Sequence, residues 1–105
     1  MSIVLEDITS HRPSSFHGVT IRTTPDKLMR LWDAAGLEYY KGNAGDDKTN
    51  FDFGAQVETL PFYVYDWKYY HSLAIHTEYE FNIGAENRIQ SIWAADILKV
   101  LLAEL

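Results

Sequence analysis

The chain has no cysteine. That excludes disulfides, thiolate metal sites and thiol chemistry, and it fits a reducing cytoplasm. No segment approaches the roughly 20 apolar residues that span a bilayer. The opening residues, Met1-Ser2-Ile3-Val4-Leu5-Glu6-Asp7, carry neither a basic leader nor an apolar run of signal-peptide length. A cytoplasmic protein that does not engage membranes is expected. Positive charge is also short: 9 Lys and Arg face 15 Asp and Glu, for a formal charge of −6. Long-range steering then disfavours nucleic acid and anionic membranes, and favours partners with a basic surface.

Common catalytic and cofactor signatures are missing as well. Ser10, Ser14, Ser15, Ser72 and Ser91 lie outside any Gly-x-Ser-x-Gly context. Gly42 and Gly45 are not followed by the Lys-Ser/Thr ending and helix of a phosphate loop. The spacings of His11, His17, His71 and His76 match neither a zincin helix nor a zinc finger. Asp46-Asp47 lacks the alternating oxygen ligands of an EF-hand, and Lys48 beside it opposes a cation. The expectation is a protein without catalysis, cofactor or metal.

What is present describes one α+β domain over residues 1–105, with an irregular N-terminal segment at 1–15. The composition, 47% hydrophobic and 23% charged, is that of an ordinary globular chain. Three Trp, seven Tyr and five Phe make a compact core attainable and leave tyrosines over for a surface. Residues 16–23 read as a strand with His17, Val19 and Ile21 on one face. Thr24-Pro25-Asp26 starts a helix over 25–35: Thr24 caps it, Pro25 suits the first helical position and Asp26 suits the dipole. Leu28, Leu31, Trp32 and Ala35 follow at helical spacing, and Gly36 terminates. Residues 41–48 read as a loop. Phe51, Phe53, Ala55 and Val57 then alternate with polar or small residues, as in a half-buried strand. Thr59-Leu60-Pro61 turns the chain into a strand from Phe62 to Trp67. Tyr79, Phe81 and Ile83 repeat the alternation, and residues 86–105 read as a long helix.

The resulting order, β-α-β-β-β-α, makes a small antiparallel sheet with two helices packed on it. In the aromatic strand Phe62 and Val64 share one face, while Tyr63, Tyr65 and Trp67 share the other. If both helices cover one side, those rings face outward. With Asp66, Lys68, Glu78, Glu80 and Asn82 they would then form an acidic, aromatic binding surface resembling an interface hot spot. Asp66 has a plainer reading too, as a hydrogen-bond acceptor for nearby backbone. In the last helix Ile89, Trp93, Ile97, Val100 and Leu101 form the main stripe. Leu98, Leu102 and Leu105 lie apart from it and are candidates for a homodimer interface.

Asp47-Lys48, a strand with Phe51 and Phe53, Tyr65-Asp66-Trp67-Lys68, and Phe81-Asn82-Ile83-Gly84 before a terminal helix follow one another along the chain. This succession resembles a group of small phage and prophage proteins over roughly residues 16–100. That group carries Asp-Lys, a strand, Tyr-Asp-Trp/Tyr-Lys, and aromatic-His-Ile-Gly-Gly; Asn82 and Ala85 stand here in place of the His and the second Gly. The resemblance implies a phage-type accessory protein acting against host defence in the host cytoplasm. The leading expectation is stoichiometric inhibition of a host protein with a basic surface, in the manner of anti-CRISPR proteins. The rival is a sponge for a nucleotide second messenger, held in a pocket at a dimer interface. Its phosphate would be bound by Arg22, Lys48, Lys68 or Arg88, with an aromatic ring under the base.

Overall fold

The computed structural model describes residues 3–9, 14–41, 51–66 and 74–105. The elements are β1 (Ser15–Thr23), α1 (Pro25–Ala34), β2 (Tyr40–Lys41), β3 (Phe51–Val57), β4 (Leu60–Tyr65), β5 (Tyr79–Ala85) and α2 (Arg88–Ala103). The five strands form one antiparallel sheet in the order β1-β5-β4-β3-β2. The fold is therefore α+β, as the alternation and capping signals indicate. β2 is an addition: a strand of two residues has no period by which to be recognised.

Local chemistry sets the helix ends. The Thr24 hydroxyl accepts the Lys27 backbone N–H at 3.1 Å, and the Asn87 side-chain oxygen accepts that of Gln90 at 2.9 Å. Each satisfies a donor that the first helical turn leaves without a partner. Beyond α1, Gly36 takes a φ of +73°, the left-handed conformation that ends helices readily at glycine. The β3–β4 hairpin turns earlier than the prolyl segment suggests. Glu58 and Thr59 make the turn, with Glu58 at φ +56°, and Pro61 lies inside β4 opposite Gln56.

Both helices cover the same side of the sheet. One core cluster joins Leu28, Leu31 and Trp32 of α1 and Ala94, Ala95 and Leu98 of α2 to Ile21, Phe53, Ala55, Phe62, Val64, Phe81 and Ile83. Trp32 anchors it, with ring centroids 5.2 Å from Phe53 and 6.4 Å from Phe62. Its indole N–H donates to the Gly54 carbonyl at 2.9 Å. Gly54 lies on the outer edge of β3 between two short pairings, Tyr40 opposite Asp52 and Glu6 opposite Gln56. The indole thus caps a sheet edge that would otherwise present an open carbonyl. Gln56 ties down the N-terminal segment, accepting the Thr9 backbone N–H at 2.8 Å. No described helix is long and apolar enough to cross a membrane.

In α2 the inner side differs from the expected main stripe, of which Leu101 alone packs against the core. Ser91, Ala94, Ala95 and Leu98 are the residues buried against the sheet. Ile89, Trp93 and Val100 of the main stripe are 61%, 57% and 47% exposed. Leu98 is fully buried in the protein's own core, and Leu102 packs against that core. Neither can serve as the interface assigned to it, and Leu105 alone of the three is exposed. The reason is steric: the small side chains of Ser91, Ala94 and Ala95 let the helix approach the sheet closely, so that side turns inward with Leu98 and leaves Ile89, Trp93 and Val100 outside.

Candidate functional site

The sheet face turned away from the helices holds the surface of interest. Directly opposed residues of an antiparallel pair share a face, so register defines it. One transverse row runs Phe16 (β1), Gly84 (β5), Tyr63 (β4), Gly54 (β3). The next runs Thr20, Asn82, Tyr65, Asp52, Tyr40, from β1 to β2. Four aromatic rings thus stand on one face, separated by glycines and short polar residues.

The glycines set how the rings lie. A methyl group at Gly54 would come within 3.1 Å of the Tyr63 ring, and one at Gly84 within 3.3 Å of the Tyr65 ring. Each tyrosine therefore leans over a bare stretch of neighbouring backbone, Tyr63 towards β3 and Tyr65 towards β5. Both rings are half-buried, while Phe16 is 49% and Tyr40 45% exposed. Ile8 of the N-terminal segment reaches the same spot beside Gly54.

Between Tyr40 and Tyr63 the surface sinks into a depression of about 450 Å³, with Asp7, Glu38 and Asp52 in its lining. Asp52 is the electrostatic centre. Its Oδ1 is buried without a hydrogen-bond partner among the described residues. Burial, and secondarily the nearby Asp66, push its carboxyl above the ordinary value. Burial and then the Asp52 charge raise the Tyr65 hydroxyl likewise, which keeps that phenol protonated and able to donate.

The predicted site residues divide accordingly. Tyr63, Tyr65 and Asn82 come together, with Asn82 directly opposite Tyr65. Glu80 lies on the same face opposite Arg22, whose guanidinium Nε is 3.6 Å from the Glu78 carboxylate. Both partners of that pair are exposed, so it contributes little energy. Asp66 is a correction. It is fully buried, and its carboxyl accepts the Phe51 backbone N–H at 2.7 Å. Sealed in this way it cannot touch a partner, and it serves as a structural acceptor joining the end of β4 to the start of β3. Trp67, Lys68, Lys48 and the Asp46-Asp47 pair lie outside the described residues.

The phosphate-binding set does not assemble from its described members. Arg22 stands opposite Glu80 near the start of β5, whereas Arg88 follows its end. Five strand residues at ~3.3 Å each separate the two ends. The Arg88 guanidinium donates instead to the His17 carbonyl at 2.9 Å. No group of three or more potential metal ligands forms among the described residues. Sequence reasoning missed Phe16, Tyr40 and Asp52. Asp52 was legible as a polar position of an alternating strand, but its meeting with Tyr65 and Tyr40 depends on register. Comparison of the chain with family models, with curated proteins and with solved structures finds no match.

Proposed function

We propose that this chain is a phage-type accessory protein that counters host defence by binding a host protein stoichiometrically, without catalysis, in the host cytoplasm. The observation that carries the binding reading is the sheet face turned away from the helices, where Phe16, Tyr40, Tyr63 and Tyr65 are set out in two rows among acidic groups. Aromatic rings offer large contact area at small entropic cost, and tyrosine also brings a hydroxyl. Asp7, Glu38, Asp52 and Glu80 lie in or beside that face. Lys or Arg side chains can therefore lay their stems across the rings and direct their charge to the carboxylates. The formal charge of −6 steers the same kind of partner. The phage-type role and the class of target rest on the sequence resemblance.

The test is a Tyr63→Ala, Tyr65→Ala double variant that retains the circular dichroism of the parent. Its affinity for the basic protein recovered from bacterial lysate should fall by about 2 kcal/mol or more. Calorimetry of the parent with a panel of cyclic and linear nucleotides should show no heat. Unchanged affinity in the folded double variant would remove this face from the account. Saturable heat with a nucleotide would replace it with sequestration of a small ligand.

A further inference from the structure

The outer face of α2 is the second face that no described element packs over. Residues of an α-helix advance by about 100° each, which places Ile89, Trp93, Ile97 and Val100 on one stripe. That stripe points away from Ser91, Ala94, Ala95 and Leu98, the residues that face the sheet. Ile89, Trp93 and Val100 are exposed, and Ile97 is half-buried. Beside them a groove of about 400 Å³ runs between the helix and the β3–β4 turn, with Val57, Leu60, Trp93 and Ile97 as its apolar lining and Glu58, Thr59 and Asp96 as its polar one. A helix that is apolar all round is normally buried all round. A standard interface takes ~800 Å² from each partner, and the stripe supplies the apolar centre of such a patch.

We infer that this face is covered by a second copy of the chain, with the two α2 helices antiparallel across a twofold axis. The charges flanking the stripe select this occupant. Asp96 and Lys99 are both exposed: Asp96 borders the stripe, and Lys99 lies about 60° further round on the same side, within reach of a partner's flank through its long stem. In an antiparallel pair related by a twofold axis, like flanks meet like flanks. Asp96 of each copy then faces Lys99 of the other, and the pairing is satisfied twice. A crossing near residue 97 also sets Trp93 of one copy against Val100 of the other. A parallel pair would bring each flank against the opposite one and leave these charges unmatched. The antiparallel pair keeps both tyrosine faces outward, because α2 and that face are on opposite sides of the sheet.

Sedimentation velocity on the full chain tests this. The parent should sediment as a particle of twice the 12.1 kDa chain mass at micromolar concentration. Trp93→Glu and, separately, Val100→Glu should yield folded monomers at the same concentration. Asp96→Lys and Lys99→Asp should each weaken self-association about tenfold or more. The Asp96→Lys, Lys99→Asp double variant should restore it, and mixing the two single variants should give a heterodimer. A parent chain that stays monomeric at several hundred micromolar overturns the inference. So does a dimer indifferent to Trp93→Glu and Val100→Glu, or one in which the double swap fails to rescue the single ones.

Discussion

At the scale of single residues, two acidic groups a few positions apart in space do different work. Asp66 is fully buried and takes the Phe51 backbone N–H at 2.7 Å. Removing the acceptor leaves a buried donor without its partner, so Asp66→Ala should lower stability by about 1–3 kcal/mol. Asp66→Asn, which keeps an oxygen there, should cost less; urea unfolding of the two variants measures the difference. Asp52 is raised above its ordinary value of 3.8 by burial first and by Asp66 second. Between the ordinary and the raised value the folded chain therefore holds a proton that the unfolded chain has released. The stability this proton brings is complete below the unfolded value and is lost as pH rises through the raised one. Asp52→Asn cannot ionise. It should unfold later than the parent at neutral pH and show a flatter profile across that window, as thermal melts at stepped pH would report. A parent that gains stability relative to Asp52→Asn as pH rises there would contradict the assignment.

Elements differ in how far the sequence declares them. Thr24-Pro25-Asp26 declares α1 because the cap and first turn are chemistry local to three residues, and the structure places the cap there. Alternation declares β3 and β5, since period two with one apolar face has few other readings. In α2 the same logic fails. Apolar residues surround the helix, so periodicity cannot say which side meets the sheet, and volume decides it instead. Ala94 and Ala95 are buried on the side of the helix that packs into the core. Ala94→Leu should therefore overpack that contact and cost about 1–3 kcal/mol, whereas the same change at exposed Ala103 should be nearly neutral. Denaturant midpoints for the pair decide between this inner face and the larger stripe expected from sequence alone. The tyrosine surface was half legible for a related reason. Strand alternation separates Tyr63 and Tyr65 from Phe62 and Val64, but the presence of Phe16, Tyr40 and Asp52 beside them comes from strand order and register.

At the scale of the whole molecule, one layer of helices on one layer of sheet gives two faces that, among the described residues, no further layer covers. The sheet side carries rings and carboxylates, and the helix side carries an aliphatic stripe with Trp93. Their chemistry differs, and so do the partners that suit them: a basic protein for the first, another copy of the chain for the second. A dimer through α2 would display two tyrosine faces, and a partner with two matching sites would be held with added avidity. Recognition through the tyrosine face is tested by hydrogen–deuterium exchange on the complex with its basic partner, compared with the free chain. Binding should slow exchange in peptides covering residues 51–56, 60–65 and 80–84 and leave α2 unchanged between the two states. Slowing confined to α2, with those strand peptides unaffected, would contradict it.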